Sequence, residues 1–289
     1  MQIKSSEKIR SELSVFLRLI NCLNPTSHGR HWIESLAKKW RMVPQDGIYK
    51  LQCGIMMELH MDDFIERSVY FDSFEFLYRR VLLRYLKPGG IFIDIGANVG
   101  YYTLIANHEV GSNGRVLSFE PNPDTLEKLK RNISLNSAMQ VEVFEMALSD
   151  ADSEVTLFCP NDETHGCASM VNQGWDDASI HKVMARRLDD VLPQEIDHID
   201  LIKMDVEGAE LKVVRGARRT ISKYRPTILL ELSEKATKSF GHDTLNVPKL
   251  LLEYNPNYKM KFIDTHTIKK TTLDELYRHN MRNGNLLMY

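Results

Sequence analysis

The run Ile91-Phe-Ile-Asp94-Ile-Gly96-Ala-Asn98-Val-Gly100-Tyr-Tyr-Thr-Leu-Ile, followed 26 residues after Asp94 by Phe119-Glu120-Pro-Asn122, constrains this chain more than any other feature. A short apolar run reads as a buried strand, glycines at 96 and 100 relieve the turn after it, and a helix follows. The next strand ends in an acid, which can accept both hydrogen bonds of a ribose diol. This layout suits an adenosine-bearing cofactor.

The charge pattern separates the cofactors of that class. A dinucleotide fingerprint, G-x-G-x-x-G, presents bare backbone N–H groups to a pyrophosphate. Here the spacing is Asp94-x-Gly96-x-x-x-Gly100, with Asn98 where a second glycine would stand. A carboxylate beside a pyrophosphate is repelled, whereas beside a sulfonium or an α-amino group it is favourable. The loop therefore points to S-adenosyl-L-methionine (SAM) rather than NAD.

Around this loop the pattern alternates. Strands are expected at 91–95, 115–119, 141–146, 199–204 and 227–232, with helices at about 100–109, 123–135 and 207–222. That order predicts an α/β fold with a doubly wound, mostly parallel sheet. Tail strands around 260–263 and 286–288 close it in antiparallel fashion, making seven strands. Ahead of it, residues 49–60 read as a hairpin or a cap strand and 74–85 as a helix. Ile9, Leu13, Phe16, Leu17 and Ile20 share one helical face, and a second helix is expected from His31 to Trp40. Residues 1–45 thus form an N-terminal helical accessory segment, and 46–289 the main domain.

Composition excludes several classes. A net charge of −2 gives no reason to expect a nucleic-acid partner. Lys4, Lys8, Arg10, Arg18, Lys38, Lys39 and Arg41 make the N-terminus locally basic, either as a solvated helix face or as a surface for an acidic partner. The cysteines at 22, 53, 159 and 167 form no C-x-x-C pair, so they read as reduced thiols of a cytoplasmic protein. No apolar run is long enough for a membrane span, and the first 25 residues do not read as a signal peptide. The first helix can pack on its own domain or on a second copy, giving a homodimer.

Three motifs carry a family resemblance: Phe92-Ile-Asp94-Ile-Gly96-Ala-Asn98-Val-Gly100-Tyr-Tyr, Ser118-Phe-Glu120-Pro-Asn122-Pro, and Ile202-Lys203-Met-Asp205-Val-Glu207-Gly208-Ala-Glu210-Leu, the last followed by Arg225-Pro-Thr-Ile-Leu-Leu-Glu231. From about Asp46 to Leu232 the chain resembles the FkbM family of SAM-dependent methyltransferases. The resemblance implies a Rossmann-like class I methyltransferase fold and methyl transfer to a hydroxyl of a small molecule or glycan. It also implies a cleft between the strands ending at Asp94 and Asp205, and brings Glu75 near the cofactor. A nucleic-acid methyltransferase is the alternative, although its N-P-P-Y position reads Lys203-Met-Asp205-Val. A non-catalytic nucleotide-binding protein of the same fold is another.

Within that frame Glu120 is expected on the ribose, with Asn122 beside it as the helix cap. Asp94 is expected to contact the loop backbone or the amino end of SAM. Gly96, Asn98 and Gly100 frame the methionine moiety, and Ala147 and Leu148 flank adenine. Asp205 and Glu207 are the candidate proton acceptors, with Asp205 also near the methyl group and Glu210 one helical turn beyond Glu207. His165, in a polar loop overhanging the cleft, is a further candidate base. Clustered acids could hold Mg²⁺, but no spacing demands a metal.

Overall fold

Two helices open the chain, α1 (Gln2–Leu23) and α2 (Arg30–Lys39). The computed structural model describes residues 2–24, 26–51, 54–161 and 167–289, with side chains from residue 12 onward. The antiparallel hairpin β1 (Gly47–Lys50) and β2 (Met56–Leu59) follows where the sequence allows one. Sequence pattern does not anticipate the next helix, α3 (Phe64–Tyr70), whose N-cap Asp63 accepts from the Glu66 backbone N–H. Then comes α4 (Phe76–Tyr85), stopped ahead of Lys87-Pro88-Gly89-Gly90.

The alternating unit comprises β3 (Ile91–Ile95), α5 (Tyr101–Val110), β4 (Arg115–Phe119), α6 (Pro123–Leu135) and β5 (Val141–Phe144). A separate three-stranded sheet interrupts it, built from β6 (Ala147–Leu148), β7 (Ser153–Cys159) and β8 (Ser179–Arg186) in the order β6-β8-β7. The alternation resumes with α7 (Leu188–Val191), β9 (Leu201–Met204), α8 (Glu210–Gly216), α9 (Arg218–Tyr224) and β10 (Thr227–Leu232). The helix expected over 207–222 therefore starts late and breaks near Ala217. Glu207 and Gly208 take positive φ, 52° and 101°, which no right-handed helix accommodates. The tail adds α10 (Glu234–Ser239), α11 (Asn246–Tyr254), β11 (Met260–Ile263), β12 (Ile268–Thr271), α12 (Leu273–Arg278) and β13 (Gly284–Met288).

The main sheet runs β12-β11-β13-β10-β9-β3-β4-β5. Strands β5, β4, β3, β9 and β10 are mutually parallel, and β13 lies antiparallel between β10 and β11. It has eight strands rather than seven, because β12 pairs with β11 at the edge. Successive strand residues point to opposite faces. Ile91, Ile93 and Ile95 join a core with Val213 and Val214 of α8 and Leu251 of α11, whereas Phe92 joins one with Leu104 and Ile105 of α5 and Leu82 of α4. Both faces are covered by helices, so both β3 and its parallel neighbour β9 are apolar throughout except where an ion pair is built in.

The N-terminal helices dock through polar groups. Arg30 is buried and its Nη1 lies 2.6 Å from Asp72 Oδ2; Asp72 also binds Arg79. Buried Glu34 accepts from Ser68 Oγ at 2.9 Å and Ser73 Oγ at 2.5 Å. The apolar face of α1, read from sequence as a packing face, instead leaves Leu13, Phe16 and Ile20 exposed, with only Leu17 partly buried against the core. Ile9 lies among the residues whose side chains are not described. Because Arg30 and Asp72 are both buried, Arg30→Met should cost about 3 kcal/mol of stability, read by denaturant unfolding, since Asp72 loses one of its two cationic partners and the Thr26, Asn24 and Asp72 carbonyls lose their donor. A loss well under 1 kcal/mol would show that the pair is solvated.

Candidate active site

The site is assembled around one buried ammonium group. In the register of β3 and β9, Asp94 lies opposite Lys203. Lys203 Nζ sits 3.4 Å from Asp94 Oδ1 and 3.6 Å from Asp205 Oδ2, and it donates to the Gly96 carbonyl at 2.7 Å. Burial alone would lower its pKa, but Asp94, Asp205 and Glu75 outweigh that and raise it above the usual lysine value. Asp94 is fully buried and accepts from Thr103 Oγ1 at 2.7 Å; burial raises its pKa, and Lys203 opposes the rise. The loops after β3 and β9 are pressed together here. Gly96 has φ 79°, and a Cβ on it would fall 1.9 Å from the Asp205 carbonyl oxygen.

Above these strand ends lies a cleft of roughly 670 Å³. Its lining follows the strand order β9-β3-β4-β5: Asp205 and Glu207 come after β9, Gly96 and Asn98 after β3, Glu120 after β4, and the apolar Met146, Ala147 and Leu148 after β5, with Phe119 and Leu157 completing the apolar lining. Glu120 Oε2 accepts from the Asn98 N–H and Oε1 from the Asn122 N–H, both at 2.8 Å. Each oxygen keeps a free lone pair for a further donor. Burial lifts the Glu120 pKa to about 7 against these two hydrogen bonds. Asn122 caps α6 through its side chain, as its spacing predicts.

Acids crowd the β9 end. Glu75, in left-handed conformation with φ 38°, accepts from Tyr102 Oη at 2.8 Å and Asn285 Nδ2 at 3.3 Å. Burial first, and Asp205 second, raise its pKa to about 7. The same two causes raise Glu207 to about 7. Ser169 Oγ and Gln173 Nε2 both donate to the Glu207 carbonyl, at 3.0 and 3.1 Å, and so fix its unusual backbone. Carboxylate oxygens of Asp205, Glu207 and Glu231 lie within 4.8 Å of one another, close enough to share one cation. Burial, then Asp205 and Glu207, push Glu231 well above the carboxylate range. The arrangement favours a positive or hydrogen-donating guest.

Residues 94–258 match the methyltransferase FkbM domain, a span beginning at Asp94 and containing every pocket residue from Ile95 onward. The chain belongs to the methyltransferase FkbM domain family. It is 28% identical over 216 residues to the AMB antimetabolite synthetase AmbE of Pseudomonas aeruginosa, covering 62% of this chain and 10% of that one. Over 174 residues it is 26% identical to the hexuronic acid methyltransferase AglP of Haloferax volcanii, 60% of this chain and 66% of that one. To the 2-O-methyltransferase NoeI of Sinorhizobium fredii it is 26% identical over 163 residues, 52% and 66%. The chain thus spans a tenth of AmbE and about two thirds of AglP and NoeI.

In this FkbM domain Gly96, Asn98, Glu120, Ala147, Leu148, Asp205 and Glu207 line one cleft. Asp94, Gly100, Asn122 and Glu75 stand behind or beside it. Asp94 holds Lys203 and Thr103; Gly100, with φ 93°, lets α5 start against Leu129, whose Cδ1 would be 2.6 Å from a Cβ. His165 lies outside the described residues. Glu210 does not share a helical turn with Glu207: it is buried at the start of α8 and accepts from the Val206 and Gly208 N–H groups. Tyr254-Asn-Pro-Asn-Tyr258 is a packing turn, with Tyr258 Oη donating to the Pro226 carbonyl at 2.7 Å. Sequence reasoning passed over Glu231 as a site residue. Its signal was position, since it sits one residue from the end of the strand beside that of Asp205.

Glu75, Glu120, Glu207 and Glu210 all rise from about 4.5 to about 7 on folding. Each keeps its proton in the native state where the unfolded chain has lost it, so stability falls as pH climbs between those values. The ligand-free melting temperature should therefore drop from about pH 4.5 to about pH 7, and Glu231→Gln should raise it at about pH 8 more than at about pH 4.5. A flat profile in both proteins would mean the acids are solvated.

Proposed function

We propose that this protein is a SAM-dependent methyltransferase acting on a hydroxyl oxygen of a small-molecule or glycan acceptor, with residues 46–289 as the methyltransferase domain and 1–45 as its accessory segment. The observation that carries this reading is the single cleft with an apolar slot at one end, Glu120 at its centre and acids at the other. SAM fits those three zones in order. Adenine suits the slot formed by Phe119, Met146 and Leu148, and the ribose diol suits the two free lone pairs of Glu120. The sulfonium suits the end bearing Asp205. Similarity to a hexuronic acid methyltransferase and a 2-O-methyltransferase supports an oxygen acceptor.

Bound SAM would supply an electrophilic methyl group. The chain's part is to hold the acceptor in line, keep water out and take the hydroxyl proton. Asp205 is the proposed proton acceptor, with Glu207 beside it; a Glu207 pKa of about 7 leaves that carboxylate ionised in mildly alkaline solution. Lys203 Nζ lies 3.6 Å from Asp205 Oδ2 and places a positive charge among these acids. The free thiols of Cys22, Cys159 and Cys167 suit a reducing, cytoplasmic setting.

Calorimetry with Glu120→Ala should show SAM affinity weakened by about 1 to 3 kcal/mol. Unchanged affinity would remove Glu120 from the ribose. With an accepted hydroxyl substrate, Asp205→Asn should keep SAM binding within about threefold and depress turnover at least about a hundredfold. Turnover within a few fold of the parent would assign the proton elsewhere, His165 being the next residue to test.

A further inference from the structure

Helix α1 is docked inside out. Its inward side is polar: Ser14 Oγ lies 3.2 Å from Tyr70 Oη, and Asn21 Nδ2 donates to the carbonyls of Phe71 at 2.8 Å and Arg30 at 3.1 Å. Arg18 lies over the Tyr70 ring and donates to the Lys50 carbonyl. Its outward side carries Leu13, Val15, Phe16, Leu19, Ile20 and Leu23, with Phe16 58% and Leu23 82% exposed. The second helix repeats the inversion. It does so only in part: Arg30 and Glu34 are buried beside Ile33 and Ala37, while Trp32 and, at its end, Trp40 are 67% and 64% exposed. So large an apolar surface left in water calls for a partner.

We propose that this face binds peripherally to a lipid bilayer bearing anionic headgroups. Charge supports that occupant. Setting aside Arg18, Arg30 and Glu34, which face the domain, residues 1–45 hold six Lys and Arg against two Glu in a chain whose net charge is −2. The exposed run Lys38-Lys39-Trp40-Arg41 sets basic side chains around an indole, the pairing that suits a headgroup layer. A second copy would bring two such basic segments together and repel itself. Shape agrees with charge. The six outward residues spread over about 160° of the helix at 3.6 residues per turn, wider than the two-position seam of a helix pair. Glu12 breaks the apolar face only at its N-terminal end. A helix built this way lies in the plane of the interface rather than across it, and among the described residues no helix is long and apolar enough to cross a membrane.

The test is co-sedimentation of the full-length protein with vesicles of equal parts phosphatidylcholine and phosphatidylglycerol, and with phosphatidylcholine alone, alongside sedimentation-velocity ultracentrifugation without lipid. The expected result is a monomer that pellets with the anionic vesicles, and about tenfold or more weaker binding to the neutral ones or at high salt. The double variant Phe16→Glu, Leu19→Glu should abolish pelleting yet keep the parent melting temperature, because both side chains point away from the domain. Three results would overturn the proposal: no pelleting by the parent, pelleting indifferent to the double variant, or a lipid-free dimer that the double variant dissociates. The last would assign the face to a second copy.

Discussion

The rest of the site depends on the buried Lys203 ammonium. It is the point where β3, β9 and the glycine turn meet: Asp94 on one strand, Asp205 beyond the other, and the Gly96 carbonyl between them. A lysine buried this deeply is costly unless surrounded by partners of opposite sign. Here it has two carboxylates and a carbonyl, and the sheet register sets it directly opposite Asp94. The consequence is local rigidity. Gly96 has no room for a side chain because the Asp205 carbonyl is already there. The turn that faces the cleft is thus held from below by charge and from the side by backbone contact.

The same cluster explains why the cleft is polarised. Glu75, Glu207 and Glu231 lean toward Asp205 from α4's entry, the turn after β9 and the end of β10. One ammonium does not balance so many carboxylates in a buried setting, so several take up protons near neutral pH. A cationic guest would favour the ionised form of these acids and so draw protons off the site. The proposed cofactor carries a sulfonium and an amino group, and the acids cluster at the end opposite the apolar slot.

Much of the fold was legible because its signals are local and periodic. The strands at 91–95 and 227–232 follow from short, nearly continuous apolar runs, and the helix at 123–135 from Asn122-Pro123 at its start. What was illegible depended on contacts distant in sequence. Strand β8 alternates only weakly and is held by β7; β12 has three exposed residues in four and is held by β11 alone. Glu207 and Glu210 look like one helical face by spacing, yet the left-handed turn at Glu207 separates them. Asp94 reads, from its place in the glycine loop, as contacting either the loop backbone or the amino end of SAM, and the sequence does not choose between them. Its partner Lys203, 109 residues away, turns it inward. Helix α1 shows the same limit, because periodicity finds an apolar face and does not say which way the face points.

The most direct test of the central claim is a crystal structure of the full chain with S-adenosylhomocysteine. The account predicts both ribose hydroxyls within hydrogen-bond distance of the Glu120 carboxylate, the adenine between Phe119 and Leu148, and the sulfur on the Asp205 side of Gly96. A nucleoside bound elsewhere, or one whose ribose does not touch Glu120, would contradict it.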